Sequence, residues 1–85
     1  MNTNMNQTTE DKLKQIVSET LGVDPAQINP DSRFVEDMGA DSLDVIELMT
    51  AIEEGFNFKV EIEDDKAETL TTFGLALDYI SKQLK

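Results

Sequence analysis

A chain of 85 residues is the size of one domain with a modest core, burying roughly 60% of the surface its unfolded form exposes. Eighteen acidic residues against seven basic ones give a formal charge of −11, which repels nucleic acid phosphates and anionic lipid and steers the chain toward basic surfaces. Cysteine and histidine are both absent, so disulfides are excluded and an enzyme would lack the best nucleophile and the commonest general base.

Met1 to Gln7 are polar and carry neither the apolar run of a signal peptide nor the arginine of a transit peptide. We read residues 1–8 as a flexible tail and residues 9–85 as the folded domain. No stretch is long and apolar enough to span a bilayer. The cysteine-free composition suits a reducing compartment, and a cytoplasmic monomer is the expectation.

The first helix starts at a Thr8 or Thr9 cap, with Glu10 and Asp11 in the first turn where the dipole favours anions. Leu13, Ile16, Val17 and Leu21 share a face, and Gly22 is a natural stop. Residues 22–41 form a long connection, punctuated by Asp24-Pro25, which suits a short helical turn, and by Asn29-Pro30. Ile28, Phe34 and Val35 are expected to pin this loop to the core.

Asp41 is a good N-cap for a second helix running to about Phe56, with Val45, Leu48, Met49 and Ile52 on its core face and Leu43 and Ile46 toward the edge. Residues 57–62 alternate apolar and polar with a period of two. A lone strand has no partner here, so an extended loop or turn is expected. A short acidic helix is placed around Ala67. Thr71 or Thr72 caps the last helix, whose shared face is Phe73, Ala76, Leu77, Ile80 and Leu84, and in which Gly74 costs about 1 kcal/mol relative to alanine. The expected fold is all-α: a small four-helix bundle of three main helices and one short one, with a long ordered loop between the first and second.

Ser42 stands out chemically. It follows the Asp41 cap in the first turn of a helix, where backbone N–H groups lack partners and the dipole is positive, so a phosphate ester there is favourably placed. Such a serine needs no general base of its own, only exposure to an enzyme that modifies it. Asp-Ser also opens helices simply because both residues cap well, so these residues alone leave the modified serine and the plain cap open.

The segment from Phe34 to Glu54, with Asp41-Ser42-Leu43 after Gly39-Ala40, resembles the central segment of acyl carrier proteins of type II fatty acid synthesis. The resemblance continues from Glu61-Ile62 through Ala67 to Thr72 and on to Ile80, and includes Leu21-Gly22-Val23. It implies a four-helix carrier fold with 4′-phosphopantetheine on Ser42, flanked by Asp41 and Leu43. A holo-synthase would transfer that group from coenzyme A, using magnesium. The arm's thiol would carry acyl groups as thioesters, so a chain without cysteine would still perform thiol chemistry.

The resemblance also assigns partner recognition to Asp41, Leu43, Asp44, Ile46, Glu47, Glu53 and Glu54, read by basic patches of acyl-processing enzymes. Seven acids and no base lie between Glu36 and Glu54. It further assigns the core and acyl pocket to Phe34, Val35, Met38, Leu48, Met49, Ile52, Ile62, Ala67, Leu70, Ala76 and Ile80, all of which also read as ordinary core positions. Neither a catalytic set nor a metal site is expected, since no Asp-x-Asp-x-Asp-Gly loop is present. Clustered like charges predict stability that rises with salt and divalent cations.

The chain departs from the family at Gly55–Val60, about two residues longer, at Glu63, where a proline is usual, and at Gly55, where an acid is common. These changes fall in a loop that helps shape the pocket mouth and partner choice. Two other readings therefore stay open: a specialised carrier for polyketide, aminoacyl or modified-lipid synthesis, and an acidic helical adaptor that works unmodified.

Overall fold

The computed structural model describes residues 8–84. The expected tail over 1–8 lies outside them except for Thr8. Helix α1 (Thr9–Leu21) begins where the Thr8 hydroxyl accepts the Asp11 N–H, and ends at Gly22 in the left-handed conformation. A single turn of 3₁₀ helix (Pro25–Gln27) follows, capped by Asp24 through the Ala26 N–H. Then come α2 (Ser42–Gly55), the one-turn α3 (Asp64–Ala67) and α4 (Phe73–Leu84). No strand forms among the described residues; one isolated antiparallel bridge joins Arg33 and Thr72.

The core draws one stripe from each long helix, as the three- and four-residue spacings require. Leu13 and Val17 of α1, Leu48, Met49 and Ile52 of α2, and Phe73, Ala76 and Ile80 of α4 are buried together with Ile28, Phe34, Phe56, Val60, Ile62 and Leu70. Within the connections, Val35 departs from expectation: it is 56% exposed, and Ile28 and Phe34 do the anchoring. Val45 is only half-buried.

The long connection is ordered because its backbone groups find partners. Phe34 N–H donates to Thr71 O at 3.1 Å, and Phe73 N–H to Ser32 O at 2.9 Å. The buried Ser32 hydroxyl accepts the Asn29 N–H at 3.0 Å. Residues 30–34 are thereby zipped to the segment between α3 and α4.

Gly74 reverses its expected role. Its N–H donates to Pro30 O at 2.9 Å, and a Cβ built there would lie 2.8 Å from the same backbone oxygen. Helix propensity favours alanine by about 1 kcal/mol, but forcing a methyl against backbone costs typically ~1–3 kcal/mol. We expect Gly74→Ala to be net destabilising by about 1 kcal/mol, read as a lower urea midpoint. A raised midpoint would show that the loop yields freely.

Candidate functional site

Asp41 breaks from helical geometry in an extended conformation and makes a reciprocal cap: its carboxylate accepts the Asp44 N–H at 2.9 Å, and the Asp44 carboxylate accepts the Asp41 N–H at 3.2 Å. Ser42 is therefore the first residue of α2, exposed, and its hydroxyl makes no hydrogen bond among the described residues. The preceding turn is built by Gly39 at φ +77°, a conformation glycine adopts without strain, and closed by Ala40 N–H to Phe34 O at 2.9 Å. Buried Ala40 ties this turn to the core, so the serine is held out on a rigid support.

A groove of about 810 Å³ opens beside Ser42, between one face of α2 from Ser42 to Glu53, the 33–36 turn and the α3 region. Of the positions assigned to the acyl pocket, Phe34, Val35, Met49, Ile62, Ala67 and Leu70 line it. Leu48, Ile52, Ala76 and Ile80 do not: they lie on faces turned into the closed core. Met38 packs against that core, half-buried, also away from the groove.

Val45, Ile46 and Thr50 line the groove without having been assigned to it. Their signal was present in the spacing: positions 42, 45, 46, 49, 50 and 53 fall on one face of a helix, with the serine at its start. The rim is polar, with Arg33, Glu36, Glu68 and Thr71.

The expected recognition residues divide by what their side chains do. Leu43 and Ile46 are 61% and 58% exposed, two large apolar groups standing beside Ser42. Glu47 and Glu54 are exposed, with no side-chain partner among the described residues. The Asp41 and Asp44 carboxylates serve the cap while staying within reach of solvent. Glu53 is half-buried and its carboxylate accepts the Ile62 N–H at 2.8 Å, tying α2 to the segment before α3. An acid that looked free in the sequence is committed to the fold.

Arg33 gathers the acids upstream. Its guanidinium lies 3.0 Å from Glu36 and 3.4 Å from Asp37. The Arg33 backbone N–H, donating at 2.9 Å, is the main cause holding the Asp37 carboxyl below the usual carboxylate range. The guanidinium adds to this, against a small opposing effect of burial. Because the folded-state value is depressed, this contact's stabilisation is full above the ordinary carboxylate range and fades as pH falls through the lowered value. Carbon-13 NMR titration is expected to place Asp37 below the ordinary aspartate value, and Arg33→Ala to raise it only partway, since the backbone donor remains.

Among the described residues, no helix is long and apolar enough to cross a membrane. The family defined by the phosphopantetheine attachment site matches residues 11–80. A curated acyl carrier protein of Guillardia theta is 49% identical over 74 residues, covering 87% of this chain and 89% of that protein.

Proposed function

Because the chain belongs to the acyl carrier proteins of the phosphopantetheine-attachment family, we propose that Ser42 is the residue that carries the arm, and that the groove beside it receives the acyl chain. The family makes the chain a carrier acted on by enzymes, not a catalyst, with 4′-phosphopantetheine as its prosthetic group. The observation that carries the Ser42 assignment is its position: exposed, unbonded, and first in a capped helix on a rigid turn.

The residues present fit the group. Asp41 satisfies the Asp44 N–H, leaving the other N–H groups of the first turn to face a phosphodiester on Ser42. The bound arm supplies a thiol that holds acyl groups as thioesters. The chain's own residues then do three things. Ser42 Oγ accepts the phosphoryl group in a reaction another protein catalyses. Phe34, Met49, Ile62 and Leu70 offer apolar walls about the groove. Leu43, Ile46, Glu47 and Glu54 present a mixed apolar and acidic face to partners with basic patches, which speeds encounter without demanding tight binding.

The pathway proposed is fatty acid or related lipid synthesis, in the cytoplasm, with the chain acting as a monomer. Its partners would be a holo-synthase and acyl-processing enzymes. A specialised carrier is the second reading, favoured by the longer 55–60 segment and by Glu63.

Intact mass before and after incubation with coenzyme A, magnesium and a broad-specificity phosphopantetheinyl transferase tests the site. The expected result is a gain of one phosphopantetheine, mapped by fragmentation to the peptide holding Ser42. A folded, unmodified chain that gains nothing, or gains it elsewhere, would overturn the assignment.

A further inference from the structure

The groove beside Ser42 follows one face of α2 as far as Glu53, roughly 16 Å along the axis. A second hollow of about 380 Å³ lies beyond, lined by Glu53, Phe58, Val60, Glu61, Ile62 and Glu63. Only Glu53 and Ile62 line both. They are also the two partners of one hydrogen bond, the Ile62 N–H donating to the part-buried Glu53 carboxylate at 2.8 Å. That bond stands where the two hollows meet. The second hollow owes its shape to the turn after α2. Asn57 and Phe58 both adopt left-handed backbone, at φ +58° and +59°, a conformation that side-chain-bearing residues rarely take in succession. The Phe58 ring is left 69% exposed, so it edges the hollow instead of filling it. From the other side α4 clamps the same segment. Gln83 accepts the Glu61 N–H and donates to Glu61 O, each at 2.9 Å, and Tyr79 Oη donates to Glu61 O at 3.3 Å. Residues 60–62 therefore keep their hold on α4 whether or not Glu53 is present.

We propose that Glu53 is the length stop of the acyl groove: its bond to Ile62 closes the far end, so chains are sheltered up to that wall and any longer tail is left in water. The proposal rests on the acyl-groove reading above and deepens it. An acyl tail is apolar, and its methyl end arriving at Glu53 meets a half-buried carboxylate. To pass, it must part that carboxylate from the Ile62 N–H and leave a charge facing hydrocarbon, which is the costliest kind of burial. Past the wall, Phe58, Val60 and Ile62 offer apolar surface. Removing the carboxylate therefore turns the stop into a passage and lengthens the chain that the protein can shelter. Glu53 acts here as a specificity-determining residue for acyl length.

Wild type, Glu53→Ala and Glu53→Gln are loaded from coenzyme A and from its octanoyl, dodecanoyl and hexadecanoyl thioesters, confirmed by mass, and melted under circular dichroism. Each acyl form is compared with the holo form of the same variant, so the cost of the substitution itself cancels. The wild-type gain in Tm is expected to stop rising before hexadecanoyl. In Glu53→Ala it continues, the hexadecanoyl form gaining roughly 5 °C or more beyond the wild-type gain. Glu53→Gln keeps an oxygen for the Ile62 N–H and is expected to level off as wild type does. In wild type, the Val60 methyl and Ile62 amide NMR signals should be the same with dodecanoyl and hexadecanoyl chains. A wild-type gain that rises through hexadecanoyl, or a Val60 methyl signal that moves with it, would overturn the proposal without any variant, even if Glu53→Ala melts too early to read. An unchanged limit in Glu53→Ala, or an extended one in Glu53→Gln, would overturn it too, while leaving the carrier reading intact. Wild type stabilised by no acyl chain would bring down the groove reading and this inference with it, and wild type that does not load would bring down the carrier reading itself.

Discussion

Ser42→Ala is expected to fold as the parent does and to carry no arm. The two halves of that expectation have separate physical grounds. The Ser42 hydroxyl makes no hydrogen bond among the described residues and the side chain is exposed. The cap belongs to Asp41 and Asp44, which the substitution does not touch. Alanine is the best helix former, so the change in stability should stay within about 0.5 kcal/mol. Loading depends instead on the oxygen that the substitution removes, and its loss should be complete. The other three serines are not presented in the same way: Ser32 is buried, the Ser18 hydroxyl donates to Val23 O at 2.6 Å, and Ser81 lies within α4. The measurement is intact mass after transferase treatment, beside an unfolding curve. The unmodified-adaptor reading expects a different outcome, namely that Ser42→Ala keeps every binding partner and every function. Retained acyl transfer in this variant would therefore sink the carrier assignment at Ser42.

Phe34→Ala is expected to have the largest effect on stability. The side chain is 1% exposed, its N–H holds Thr71, and its carbonyl accepts the Ala40 N–H that closes the turn before Ser42. Removing a buried phenylalanine costs typically ~3–5 kcal/mol. A domain of this size has roughly 4–12 kcal/mol to lose, so the variant sits at or near the threshold of folding. It also lies in the groove wall, so the surviving folded fraction should protect a bound acyl chain less well. Urea unfolding with and without an acyl group on the arm reads both effects. A loss under about 1 kcal/mol would show that the 33–40 turn refills the space, and that the groove is less defined than its walls suggest.

Glu53 and Phe58 show where the sequence stops being informative. Both lie at the junction of α2 with the segment leading to α3. Glu53 counts as one more acid on an acidic helix until the Ile62 N–H is brought to it from nine residues away. The alternation from Phe56 to Ile62 implies that four apolar residues behave alike, and nothing short of the actual backbone reveals that two left-handed residues turn one of them outward. The groove is a related case. Its apolar composition was legible, but its division from the core was not. Leu48 and Met49 are neighbours in sequence and both are buried, yet only Met49 reaches the groove.

What the sequence determined by itself was local. Thr8, Asp24, Asp41 and Thr72 each bond to a backbone N–H two or three residues on, so the starts of the first long helix, the 3₁₀ turn, α2 and α4 follow from short-range chemistry. Ser42 is placed at the head of α2 by the same logic, which is why the candidate site could be located before any packing was known. The tertiary structure decided everything that depends on which chain segments approach one another. It closed the Gly74 position against Pro30, separated groove from core along α2, committed Glu53 to the loop, and left Phe58 in solvent. Caps act over three residues and can be read along the chain, whereas close approach is a property of packed surfaces and exists only once the helices have met.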